Sequence, residues 1–155
     1  MVKHSKFSHI FVDTWGWLAL GNSNDSYHST LKRLYADLHD SRITICTSDY
    51  VLDELISLLF RRERFEEATN FVNGILAAAK QNIISIEYID TNRFARALDL
   101  RIKYKDKPLI SFTDFTSMAL MQELKINHIL TQDDHFIQVG MGFLRVPFDT
   151  SVTEL

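Results

Sequence analysis

Cysteine is almost missing. A single thiol, Cys46, occurs in the 155 residues, so no disulfide can form within the chain. It lies in the apolar run Ile43-Thr44-Ile45-Cys46, where a buried structural thiol is expected rather than a reactive one. Proline and glycine are scarce as well. Two Pro and five Gly leave no room for a flexible linker, and neither an internal repeat nor a low-complexity tract occurs. One domain spanning residues 1–155 is therefore expected. No apolar run approaches the ~18 residues that a membrane-spanning helix needs. The first residues, Met1 to Lys6, have no apolar segment behind them that would make a secretory signal. Together these absences point to the cytoplasm. The six His are scattered, with no pair at zinc-motif spacing. His135 in particular is expected to be a structural or surface residue.

An excess of positive charge is also lacking. The formal net charge is −3, which argues mildly against a nucleic-acid partner, since such proteins are usually basic. That argument weakens if four acids are held in a metal site, because the remaining surface then carries about +1 before any cation is counted.

The chain is otherwise ordinary for a globular protein, with 46% hydrophobic and 24% charged residues. Short apolar runs alternate with helical periodicity. Strands are expected at residues 10–13, 43–47, 83–86 and 126–131, with a last one around 143–146. Helices are expected over 14–20, 27–39 and 48–60, then, following the charged run 61–67, through Ala68 to about Lys80, and over 91–104 and 111–124. Trp15, Leu18 and Ala19 mark the first helix, and Phe94, Ala95, Leu98 and Ile102 share one face of the fifth. The order β-α-β predicts an α/β fold of three layers, α/β/α. Its central, mostly parallel sheet has about five strands, with helices on both faces.

Four acids recur where such a fold places its ligands, beyond the carboxyl ends of the strands. Asp13 ends the run Ile10-Phe11-Val12 and fits either a helix cap or a ligand. With Val51 at zero on a helical wheel, Glu54 falls about 60° to one side, at the border of the stripe made by Leu52, Leu55, Leu58 and Leu59. It is a solvated rim residue or an acid leaning over the strand ends. Asp114 completes a capping box opened by Ser111, yet it starts a helix that is apolar nearly all round. An acid at that buried tip needs a partner or a cation. Asp133 repeats the design of Asp13 after Ile129-Leu130-Thr131, with Asp134 competing for the same role. Converging carboxylates repel one another unless protonated or paired with a cation. A hard divalent ion, Mg²⁺ or Mn²⁺, suits an all-oxygen site and can activate water against a phosphodiester.

Four segments carry a resemblance: Phe11-Val12-Asp13-Thr14, Thr47-Ser48-Asp49-Tyr50-Val51-Leu52-Asp53-Glu54-Leu55, Ser111-Phe112-Thr113-Asp114-Phe115, and Leu130-Thr131-Gln132-Asp133-Asp134-His135-Phe136. In order and spacing the chain resembles the PIN-domain ribonucleases, most of all the VapC-type toxins of toxin–antitoxin pairs. The resemblance implies a PIN-like fold and an Mg²⁺- or Mn²⁺-dependent endoribonuclease. It implies an acidic quartet at Asp13, Glu54, Asp114 and Asp133, with Asp13, Asp114 and Asp133 on the metal. Asp133 is favoured over Asp134 by its distance from Phe136. Thr14, Thr113 and Asp134 are implied as supporting residues. The resemblance also implies an RNA substrate, a homodimer and a cognate antitoxin that covers the site.

Other residues divide between roles. Arg61, Arg62 and Arg64 fit phosphate contacts or a solvated helix end. Of Trp15 and Trp17, one is expected in the core, and Trp15 is a candidate for stacking a base. A phosphatase that places an Asp after its first strand wants a second acid two residues on, where this chain has Trp15. A flap-type nuclease would carry a helical DNA-binding element that is not found. A PIN-like scaffold that binds RNA or protein without cutting is the main alternative, and the presence of all four acids counts against it.

Overall fold

The computed structural model describes residues 7–150, so Met1 to Lys6, read above for the absence of a secretory signal, lie outside the described residues. The sheet strands are β1 (His9–Val12), β2 (Thr44–Ser48), β3 (Ile84–Glu87), β4 (His128–Leu130) and β5 (Leu144–Val146). Helices α1 (Thr14–Gly21) and α2 (His28–Asp40) join β1 to β2, and α3 (Asp49–Arg62) and α4 (Phe65–Lys80) join β2 to β3. Helices α5 (Thr91–Lys103) and α6 (Phe112–Leu124) return to β4, and the single turn α7 (His135–Gln138) leads to β5. All four pairings are parallel, in the order β3-β2-β1-β4-β5.

That order decides where the site lies. The chain moves outward from β1 to β3, then crosses back to β4 on the other side of β1. Parallel crossovers are right-handed, so the reversal sends α5 and α6 to the face opposite α1 to α4. The crevice opens where the direction reverses, above β1 and β4. The strands there are buried on both faces: Ile10, Phe11, Ile45 and Ile129 are fully inaccessible, which is why they read as unbroken apolar runs.

Local signals explain the helix starts. The Ser48 hydroxyl accepts the Val51 amide at 3.1 Å, and the Ser111 hydroxyl accepts the Asp114 amide at 3.0 Å. Each satisfies a donor that the first turn leaves free. Gly16 permits a close approach: a Cβ there would lie 2.8 Å from the Leu130 carbonyl oxygen, so only glycine lets α1 settle on the end of β4.

In two helices the periodicity does not translate directly into burial. Helix α1 buries Thr14, Gly16, Trp17 and Ala19, and leaves Trp15 and Leu18 half-buried. The segment is apolar all round, so its wheel did not single out a face. Trp17 is the core tryptophan, its indole N–H donating to the Thr47 hydroxyl at 3.0 Å. In α5 the periodicity is real, but the shared face is not covered. Only Ala97 is buried, while Phe94 and Leu98 are each 44% exposed and Ile102 64%. Cys46 is buried as expected, and burial pushes its thiol up to about 12.

Candidate metal centre

The acids arrive from separate parts of the chain. Asp13 follows β1 at the N-cap of α1, but its side chain makes no capping bond. Its Oδ2 instead accepts a hydrogen bond from the Thr131 hydroxyl at 3.0 Å. Asp114 is in the first turn of α6, which is buried without a break from Asp114 to Met121. Asp133 is on the loop between β4 and α7. A cleft of about 500 Å³ opens over all three, and Glu54 from α3 shares its wall.

The loop that carries Asp133 folds through two successive side-chain turns. The Thr131 hydroxyl oxygen accepts the Asp133 amide at 3.1 Å, and Asp133 Oδ1 accepts the His135 amide at 2.9 Å. Short polar side chains mimic backbone turns in this way. The spacing Thr-x-Asp-x-His is thus what turns the chain inward at the end of β4. It brings His135 Nδ1 to 3.2 Å from Asp114 Oδ2 and 3.1 Å from Asp133 Oδ1. Asp114, Asp133 and His135 each offer a ligand atom, all within 4.8 Å of one another.

The electrostatics are those of crowded, dry carboxylates. Asp13 is pushed up to about 7, first by burial and then by the charge of Asp114. The neighbouring Thr14 amide and the Thr131 hydroxyl pull it partly back. Asp114 is raised to about 6, first by burial and then by Asp133, with Glu54 adding to the rise and His135 opposing it. Such shifts mark groups held together at a cost in solvation and repulsion, which a cation would offset. The buried Thr14 hydroxyl lines the same cleft and has no hydrogen-bond partner among the described residues. Carboxylate oxygens dominate the donor set, with one imidazole nitrogen beside them, and this composition fits Mg²⁺ or Mn²⁺.

The structure therefore brings Asp13, Glu54, Asp114 and Asp133 to one cleft, together with Thr14 and Trp15. It does not bring the rest. Asp134 is turned outward to pair with Arg145, its side chain 73% exposed. Thr113 is absent from the cleft wall, and Ser111 stands there instead. The reason is helical geometry: Ser111 is one turn from Asp114 and shares its face, while Thr113 is rotated by about 100°. Arg61 and Arg62 are exposed in the last turn of α3, outside the wall. They sit one turn beyond Leu58, which does line it. His135, expected to be structural or superficial, lies on the cleft wall against Asp114 and Asp133, a placement not expected from the sequence. Its signal was the Thr-x-Asp-x-His spacing rather than any His partner. Leu18, Leu109 and Gln132 complete the wall.

Comparison with known proteins identifies the family. The family model described as the PIN domain matches residues 10–141. The chain is 31% identical over 136 residues to the 23S rRNA-specific endonuclease VapC20 of Mycobacterium tuberculosis, in both the CDC 1551 / Oshkosh and H37Rv strains. Those alignments cover 88% of this chain and 98% of the relative. The crystal structure of M. tuberculosis VapC20, described as a sarcin-ricin loop cleaving toxin, superposes with a TM-score of 0.72 at 32% identity. It covers 87% of this chain and 96% of that one.

Proposed function

The chain belongs to the PIN-domain family, and on that premise we propose that it is a divalent-metal-dependent endoribonuclease, the toxin of a toxin–antitoxin pair. The observation that carries the reading is the convergence of Asp13, Asp114 and Asp133, with Glu54, over the carboxyl ends of β1 and β4. Asp13, Asp114 and Asp133 would hold Mg²⁺ or Mn²⁺, with His135 against the last two. When bound, the cation supplies positive charge to a scissile phosphodiester and lowers the pKa of water.

The chain's own residues do the remaining work. Burial keeps Asp13 and Asp114 dry, so their attraction for a cation is little weakened by solvent. Thr131 orients the Asp13 carboxylate by donating to Oδ2. Glu54, on the wall of the same cleft, adds negative charge that reaches Asp114. Trp15, half-buried at the wall, presents a ring on which a base can stack. Arg61 and Arg62, exposed one turn beyond Leu58 of the cleft wall, would contact phosphates of the flanking chain.

The relative's name makes ribosomal RNA the first substrate to test. A homodimer is the proposed assembly, supported by the uncovered face of α5. A small antitoxin protein is the proposed inhibitor. No helix among the described residues is long and apolar enough to cross a membrane, in keeping with a proposed cytoplasmic site of action.

The test is paired. Antitoxin-free protein should cut RNA with Mg²⁺ or Mn²⁺ and stop on chelation, and Asp13→Asn and Asp114→Asn should not cut although both fold. Equal cutting by wild type and variants would assign the activity to a contaminant. RNA binding without cleavage by any metal would favour the scaffold reading.

A further inference from the structure

The Asp133 loop is held from two sides. Thr131 supports it from within, as described. From outside it is held by Arg145 of β5, opposite Ile129 in the strand register. Arg145 Nη1 donates to the Gln132 carbonyl at 3.0 Å and also to the Asp134 carboxylate. The Gln132 carbonyl belongs to the peptide immediately before Asp133, so this contact fixes where the Asp133 side chain leaves the backbone.

The guanidinium is itself fixed. Asp149 takes its other edge in a two-pronged pair, Oδ2 from Nε at 3.0 Å and Oδ1 from Nη2 at 3.0 Å. Asp149 Oδ2 also accepts the Arg145 amide at 2.8 Å, and the Asp149 amide donates to the Arg145 carbonyl at 2.7 Å. An isolated surface pair would contribute little. A planar fork held on one edge and presented on the other is a geometric device, and a lysine cannot reproduce it. The same turn also touches the cleft wall at Trp15. Phe148 packs edge-on against Trp15, with ring centres 5.7 Å apart, and against Tyr27 at 5.5 Å.

We propose that Arg145, clasped by Asp149, is a positioning residue for the acidic centre: it holds the Gln132–Asp134 peptide so that Asp133 faces Asp114. The proposal rests on the cation reading given under Proposed function. Groups that orient metal-holding side chains typically change metal affinity by about 10- to 100-fold when removed.

The experiment uses the full chain and two readouts. Mn²⁺ titration followed by electron paramagnetic resonance gives the affinity, and amide hydrogen exchange of residues 132–135 reports the loop without any metal. Arg145→Lys should fold with a melting temperature close to wild type, bind Mn²⁺ at least about tenfold more weakly, and exchange faster at 132–135. Asp149→Asn, which frees the fork, should move both readouts the same way by less. Wild-type affinity and exchange in Arg145→Lys would overturn the proposal. So would weakened binding confined to an Arg145→Gln variant that also melts early, since Arg145 would then serve only stability. A wild-type protein that binds no Mn²⁺ would overturn the cation reading instead, and the exchange data would still decide whether Arg145 holds the loop.

Discussion

The Thr131 hydroxyl joins two ends of the chain: it donates to Asp13 Oδ2 at 3.0 Å while its oxygen accepts the Asp133 amide at 3.1 Å. One side chain on β4's end thereby sets both strand-terminal acids. A hydrogen bond to a carboxylate favours its charged form, so Thr131→Val should drive Asp13 further up. Valine preserves the shape and removes the donor. Mn²⁺ affinity at pH 7 is expected to fall several-fold and to recover toward wild type at pH 9, where Asp13 is ionised regardless. A pH-independent loss would place the effect in the loop rather than in Asp13.

The raised acids also fix the sign of the protein's pH dependence. Asp13 at about 7 and Asp114 at about 6 hold protons more tightly when folded than in an unfolded chain at 3.8. Between roughly pH 4 and 7 the native state therefore binds more protons, and stability falls as pH rises. In chelator, the melting temperature is expected to be higher at pH 5 than at pH 8. Below that window the sign reverses, because Asp149, held low chiefly by its hydrogen bond to Arg145, becomes protonated. Mg²⁺ competes with the bound protons, so the stabilisation it confers should grow through pH 6–8. Thermal melts across pH, with and without Mg²⁺, test both slopes.

The same repulsion predicts opposite effects on activity and stability. Asp13→Asn removes a buried charge that burial and Asp114 both oppose. At pH 8 without metal, the variant should be more stable than wild type by about 1–2 kcal/mol and melt at a higher temperature. It should also lose RNA cleavage. A melting temperature several degrees below wild type would mean that Asp13 is a structural acid.

The positions of these acids were legible because chain order alone sets them. Asp13 and Asp133 end apolar runs, and a parallel sheet brings such ends to one edge. Asp114 starts a helix with no polar face to turn outward. What the sequence hid depended on partners remote in the chain. His135 looks solitary until the turns at Thr131 and Asp133 fold it onto Asp114. Arg145 has its meaning only beside the Gln132 carbonyl, an atom that every residue possesses. The wheel of α1 was uninformative because the helix is apolar all round, so it did not choose between Trp15 and Trp17. In α5 the pattern identified a helix correctly, but periodicity does not say whether a sheet or another chain covers the stripe.

Arg61 and Arg62 offer a test of the path of the RNA. They follow Leu58 of the cleft wall by three and four residues, and so continue its face of α3. Replacing both with Glu should raise KM several-fold and leave kcat nearly unchanged, because neither side chain is within the acidic cluster. The salt dependence of RNA binding should also flatten, as fewer phosphates are neutralised. A fall in kcat at constant KM would place the RNA on a different route.

The uncovered stripe of α5 makes the last case. Phe94, Leu98 and Ile102 recur at every fourth position, and all remain between 44% and 64% exposed. Phe94 packs edge-on to Phe112 at 5.0 Å, and Phe112 lies 6.5 Å from Tyr50, so the patch continues from α5 across the start of α6 to α3. Leu109, 85% exposed, stands on the wall of the acidic cleft. Contiguous apolar surface of this kind marks an interaction site. A second copy placed here would bury the stripe against its own equivalent and set two acidic clefts side by side. Leu98→Glu should then yield monomers by light scattering and cut RNA less well at low protein concentration, with Mn²⁺ affinity unchanged. If Leu98→Glu and wild type have the same mass in solution, the stripe belongs to another partner. Protection of these side chains by an antitoxin would then be the result to look for.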